Sequence, residues 1–216
     1  MVKIVIGGVV LIKKSVTKNK RVTYVLITII LILVSIVILV NLNQKDKYKN
    51  EGINMTEEER VIVNKVIELA EEKLGFEYVW GGKGEIMTDD RLDELINYYG
   101  ESYYPLKRET YIGNQAFDCS GLTYWTYREV TGVEIGYSTY DQLEILKEYE
   151  ISRKVIQPGD LVFTPGHVVL YKGKGEIINA YGKLPYPLGG IKNGKLHLGK
   201  DSVIYRPINY INNFIN

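Results

Sequence analysis

The sequence predicts an α+β fold, with helices first and an antiparallel sheet after them. Three observations carry this reading. A capped amphipathic pattern runs from Thr56 to Gly75. A second apolar-periodic run, Leu122, Trp125 and Val130, starts beside Cys119, the only cysteine in 216 residues, and stops at Thr131-Gly132. From Leu161 onward, short apolar runs bounded by Gly, Pro and Asn take over. Helices followed by strands argue for segregated packing rather than alternating parallel units.

Each element follows from its residues. Val2 to Ile12 is apolar but too short to span a bilayer. Lys13, Lys14, Lys18, Lys20 and Arg21 make residues 1–21 a basic segment, and Val22 to Leu42 then carries no charge at all. About 20 apolar residues match the hydrocarbon core of a membrane. Residues 22–42 are therefore expected as one transmembrane helix, with the basic N-terminus cytoplasmic and the C-terminal domain outside. The run is longer than a signal-peptide core and no small-residue cleavage site follows, so an anchor is preferred to a cleaved leader. Residues 43–55 read as a polar linker. Residues 56–216 are long enough for one domain with a real core.

Thr56 and Glu59 form a capping box, and Ile62, Val66, Leu69, Ala70 and Leu74 lie on one helical face that Gly75 ends. Tyr78-Val79-Trp80-Gly81-Gly82 suggests a tight turn. Residues 83–115 follow as a long tyrosine-rich stretch with a helical piece, Asp89 to Tyr99, and too many aromatics for disorder. Ser138-Thr139 opens a further helix through Leu146. Pro158-Gly159 turns into a Leu161-Val162-Phe163 strand. Asn193-Gly194 carries a hairpin signal, and Val203 to Arg206 reads as a closing strand.

The charge balance, 27 basic against 26 acidic residues, leaves no basic patch for a nucleic-acid partner. No metal-ligand cluster or phosphate loop is present in the pattern, and Gly81-Gly82-Lys83-Gly84 lacks the spacing of a nucleotide loop. No cofactor is expected.

The chemistry converges on Cys119. As the first residue of a helix it would feel free N–H groups and the positive dipole end, which favour the thiolate. The competing reading is an inert buried thiol. A nucleophile needs a base and the base an orienter. His167 lies in Gly166-His167-Val168-Val169-Leu170-Tyr171, and a second strand-like run, Glu176 to Ala180, follows Gly173-Lys174-Gly175. A hairpin centred on Gly173 puts His167 and Asn179 face to face, with Cβ atoms roughly 5 Å apart. A loop one residue longer or shorter makes them diagonal neighbours. Cys, His and a polar orienter form the papain-type constellation. His197, in a lysine-rich stretch with no nucleophile nearby, reads as solvated.

The chain resembles the NlpC family of papain-like bacterial cell-wall cysteine peptidases. The resemblance rests on Tyr78-Val79-Trp80-Gly81-Gly82, Asp118-Cys119-Ser120-Gly121-Leu122, Gln157-Pro158-Gly159-Asp160-Leu161-Val162-Phe163, Gly166-His167-Val168-Val169-Leu170-Tyr171 and Ile178-Asn179-Ala180, in the family's order, and covers roughly Glu57 to Ile208. It implies a papain-like fold with the nucleophile helix on an antiparallel sheet. It implies Cys119 as nucleophile, His167 as base and Asn179 as third member, with Tyr78 lining the oxyanion site and Asp118 and Ser120 contacting the substrate peptide. The implied reaction is hydrolysis of a peptidoglycan stem-peptide amide through a thioester, usually between D-glutamate and the diamino acid. N-acetylmuramoyl-L-alanine amidase activity, a catalytically silent wall-binding module and a papain-like acyltransferase are the alternatives. The stretch 83–115 is where the chain departs from the family, which has only a few residues there. That insert is expected to wall or lid the cleft, or to dock a partner protein.

Overall fold

The structure is a computed structural model that describes residues 2–6, 9–13, 24–36, 54–182 and 184–215. The chain divides into two units, Met1–Asn50 and Glu51–Asn216. In the first, strands β1 (Val2–Ile6) and β2 (Val9–Lys13) pair antiparallel, with Ile6 opposite Val9. Residues 24–36 form helix α1. The rest of the expected 22–42 span lies outside the described residues. Among the described residues no helix is long and apolar enough to cross a membrane.

The second unit opens with α2 (Glu57–Glu71). Thr56 Oγ1 accepts the Glu59 N–H at 3.2 Å and Glu59 returns the bond to the Thr56 N–H at 2.7 Å, completing the expected capping box. The buried face is Val63, Val66, Ile67 and Ala70. Ile62, Leu69 and Leu74, expected on that face, are only partly buried. The helix also ends before Gly75, because Lys73 and Leu74 already bond backward in turns and the Gly75 N–H donates to Ile191 O.

Strand β3 (Lys83–Ile86) pairs antiparallel with β4 (Gln115–Phe117), closing the insert at its two ends. Between them lie α3 (Asp89–Tyr99), as expected, and the short α4 (Arg108–Tyr111). Met87, Leu92, Leu95, Tyr104 and Tyr111 pack with Val79 and Ala116 into a small core of the insert's own. Helix α5 (Cys119–Thr131) follows β4 at once, and α6 (Thr139–Leu146) is capped by Ser138.

The sheet comprises β5 (Leu161–Thr164), β6 (His167–Gly173), β7 (Glu176–Tyr181), β8 (Gly190–Lys195) and β9 (Val203–Tyr205) in the order β8-β7-β6-β5-β9, every neighbour antiparallel. One face, with Leu161, Phe163, Val168, Leu170, Ile178 and Ala180, packs with α2 and α5. Each such fully buried side chain contributes about 1.5–3 kcal/mol. The other face, with Val162, Val169, Tyr171, Ile177 and Ile204, is covered by Ile151, Ile156, Leu196 and Leu198. Asn193-Gly194 is not a hairpin turn. It lies inside β8, Gly194 opposite Ile177, and the long β7 ladder decides its conformation. A final helix, α7 (Pro207–Ile215), was not expected; its Ile208 and Ile211 close the core.

Candidate active site

The position of Cys119, the expected nucleophile, begins with Asp118. Its side chain caps α5 by accepting the Gly121 N–H at 2.6 Å, so Cys119 is the first helical residue, as the sequence suggested. The turn before β3 packs directly on this helix: a Cβ at Gly121 would lie 2.0 Å from Gly82 O. Only glycine permits this approach, and it brings Tyr78 and Cys119 together. The Gly82 carbonyl also accepts the Asp118 N–H at 3.0 Å, and Asp118 Oδ2 accepts the Gly81 N–H at 3.1 Å. The first turn of α5 is held from behind by buried Gln142, whose Nε2 donates to Ser120 O at 2.9 Å.

His167, the expected base, comes from the sheet. The hairpin register pairs Leu170 with Ile178 and Gly173 with Glu176. Continued to the start of β6, it sets Tyr181, not Asn179, opposite His167; the two rings meet edge to face at 6.0 Å. Asn179 is the diagonal neighbour, and its Oδ1 lies 2.8 Å from His167 Nε2. The expected direct opposition is therefore corrected by two residues along β7, and the expected contact still forms. With Nε2 committed to Asn179, Nδ1 is the nitrogen left to exchange a proton. The backbone N–H of Val168, next in the chain, acts on the Cys119 thiol in the sense that favours its thiolate.

The electrostatics differ from the expectation of a resting thiolate. Burial, then the Asp118 carboxylate, pushes the Cys119 thiol above its ordinary value, against the Val168 and Ser120 N–H groups and the Lys83 ammonium. The helix-terminal effect is local, whereas burial comes from the whole fold, and burial wins. Burial also lowers His167 below the ordinary imidazole value, offset in part by Asn179 and by Asp118. Both shifts favour the neutral forms of the two groups. Tyr78 is pushed far above the ordinary phenol value, first by burial and then by Cys119 and Asp118, so it keeps its proton.

These groups border a cavity of about 340 Å³ lined by Tyr78, Trp80, Lys83, Tyr99, Asp118, Cys119, Ser120 and Tyr137, among others. Two of its walls, Lys83 and Tyr99, come from the insert. Trp80 also lines the cavity and contacts Tyr103 and Tyr99 at ring-centre distances of 4.8 and 6.1 Å. Asp118 and Ser120 are brought to the cavity as expected, but they are already engaged. Lys83 Nζ donates to both Asp118 oxygens at 2.7 Å and to Ser120 Oγ at 3.0 Å. Sequence reasoning missed Lys83 because its partner is 35 residues away and nothing local marks the pair. His197 is exposed, away from these groups. Among the described residues no group of three His, Cys, Asp or Glu side chains is placed to hold a metal ion.

Residues 75–187, just over half of the chain, match the family described as the NlpC/P60 family. The murein DD-endopeptidase MepS/murein LD-carboxypeptidase of Escherichia coli (strain K12) is 38% identical over 71 residues, covering 31% of this chain and 37% of that protein. The murein DD-endopeptidase MepH of the same strain is 32% identical over 71 residues, covering 30% and 26%. The chain thus spans well under half the length of these curated relatives. Among solved structures, the P60 domain of an antigen from M. avium subspecies paratuberculosis is similar with a TM-score of 0.49, 23% identity, and coverage of 69% of this chain and 97% of that one. The peptidoglycan hydrolase RipB of Mycobacterium tuberculosis is similar with a TM-score of 0.49, 24% identity, and coverage of 70% and 68%.

Proposed function

The chain belongs to the NlpC/P60 family, and from that premise we propose that it is a cysteine peptidase that hydrolyses amide bonds in peptidoglycan stem peptides. The observation that carries this reading is the 2.8 Å contact between His167 Nε2 and Asn179 Oδ1, beside Val168, which shares one buried cluster with Cys119. The names borne by the two murein endopeptidase relatives support the substrate class.

In this reading Cys119 Sγ attacks the scissile carbonyl carbon as its proton passes to His167 Nδ1. The oxyanion is met by the Cys119 backbone N–H and the Tyr78 hydroxyl, donors typically worth about 3 kcal/mol each. His167 gives the proton to the leaving amine, and a thioester remains. Water then attacks the thioester with His167 as base, and Cys119 leaves as the thiol. Asn179 holds the ring so that the same nitrogen serves both halves. The bond assigned first is the one between D-glutamate and the diamino acid; the D,D bond in the relatives' names is its competitor in the same assay.

The domain is placed outside the cell on a single-pass anchor at residues 22–42, a reading supported by the uncharged run and the basic segment before it. A reporter fused after Asn216 is expected to be active only in its exported form; activity in the cytoplasm rejects the orientation. For the chemistry, purified peptidoglycan is digested and the muropeptides are read by mass spectrometry. Wild type is expected to release cleaved stem peptides, and release at the wild-type rate by Cys119→Ala rejects the mechanism.

A further inference from the structure

The three hydrogen bonds of the Lys83 ammonium define a site as well as fill one. Two carboxylate oxygens of Asp118 at 2.7 Å and the Ser120 hydroxyl oxygen at 3.0 Å take its three N–H groups, one each. That is a cradle of the size and charge that holds any primary ammonium. It is formed by the residues on either side of the nucleophile and lines the nucleophile's cavity. Asp118 also accepts from the Gly81 and Gly121 N–H groups and from Ser120 Oγ, so Lys83 takes its remaining capacity. The other carboxylate lining the cavity, Asp141, is exposed and accepts the N–H and hydroxyl of Ser138 at 3.0 and 2.7 Å through one oxygen, Oδ2. A ligand ammonium arriving at the cradle beside Cys119 therefore finds Asp118 already taken and faces a fixed like charge.

We propose that Lys83 is a built-in occupant of this ammonium cradle and thereby sets specificity: the cleft takes peptides whose amino terminus is acylated and turns away those whose amino terminus is free. Resting on the peptidoglycan reading, the preferred substrates are stem peptides still joined to their glycan. Peptides already released by an amidase reach the site with a bare ammonium and compete with Lys83. A ligand can displace Lys83 only by moving a side chain anchored at the first residue of β3, directly beside the Gly82 turn.

Two measurements on the full chain test this. The first is independent of any substrate. Lys83→Ala empties the cradle, and propylammonium chloride, compared with potassium chloride at equal ionic strength, is expected to raise its Tm by several degrees and to leave wild type unmoved. If Lys83→Ala folds only in the presence of propylammonium, that is the same result. Equal shifts for both proteins overturn the cradle. The second uses the Cys119→Ala background, which binds without turnover, and compares an L-Ala-γ-D-Glu-containing stem tetrapeptide with its N-acetylated form by calorimetry. The acetylated peptide is expected to bind more tightly when Lys83 is present. Lys83→Met is expected to shift the ratio roughly tenfold to a hundredfold toward the free amine, the weight of a charged hydrogen-bonded contact. A free-amine peptide that binds as well as the acetylated one to the protein with Lys83 overturns the proposal. If neither peptide binds while propylammonium separates the two proteins, the cradle stands and the peptidoglycan reading with its substrate class falls.

Discussion

Two buried carboxylates in this protein are each met by one cation, and they behave as different devices. Asp160 stands at the entrance to β5, 1% exposed at its side chain, and receives Nε of Arg206 at 2.9 Å and Nη2 at 3.0 Å. The same guanidinium donates to Val155 O at 2.6 Å, and the Gln157 N–H adds a further bond to Asp160 at 2.7 Å. The planar fork thus ties the end of β9, the entry of β5 and the turn that precedes β5 in one geometry. Asp118 is also bound by backbone N–H groups, but its cation is a lysine on the rim of a cavity, with both side chains 12% exposed. A fork is specific to its partner; a single-point ammonium is matched by any other ammonium. Charge pairing alone therefore does not separate scaffold from site. The geometry of the cation and its access to the cleft do.

The sharpest contrast comes from the groups beside Asp118. Cys119→Ala and His167→Ala are each expected to lower muropeptide release by about 10⁴-fold or more, since neither acts without the other, with a Tm within a few degrees of wild type. A large loss of Tm in either variant would make the cleft part of the scaffold after all.

Arg206→Met is the converse. It leaves the Asp160 carboxylate buried without its cation and is expected to cost about 3–5 kcal/mol in urea unfolding, while kcat/KM of the folded protein holds near wild type. Lys83→Met removes a cation from a carboxylate that keeps three other donors, so its loss is expected at about 1–2 kcal/mol. Equal losses at the two sites would erase the distinction.

Asn179→Ala tests the base without touching the nucleophile, and turnover is expected to fall on the order of tenfold to a hundredfold. The pH profile carries a sign. Burial holds His167 below the ordinary imidazole value, so the neutral base persists, and the acid limb of kcat/KM lies below pH 6.5. The Asn179 contact raises His167, so its loss is expected to move that limb lower still. A limb moving upward would mean that Asn179 does not support the protonated ring. The same shift contributes stability that is present above the unfolded imidazole value and is lost as pH falls through the folded one. The smallest effect is expected at Thr56→Ala, which removes one half of the α2 capping box, about 1 kcal/mol in urea unfolding.

What the chain reveals before folding divides along similar lines. The start of α5 at Cys119, the Thr56 capping box and the His167–Asn179 hairpin were legible because caps, periodicity and glycine turns are local. The exact register was not, and only the ladder from Gly173–Glu176 to Leu170–Ile178 fixes it. Asn193-Gly194 misled because a strong local turn signal yields to a complete ladder with β7. Helix α7 was hidden by three asparagines in nine residues, though Ile208 and Ile211 already had helical spacing. The thiol's upward shift and the Lys83–Asp118 contact were not legible, since both depend on residues far apart in sequence meeting in space.

The pairing of β3 with β4 has a further consequence. Lys83 and Phe117 stand opposite each other on one rung, so the chain leaves and re-enters the domain at a single point. Whatever is strung between Ile86 and Gln115 can lengthen, shorten or be replaced while Gly82 still leads to Asp118 across that rung. The segment therefore behaves as an exchangeable cassette, and a lineage of such chains can rebuild one side of its cleft without revising the geometry that performs the cleavage.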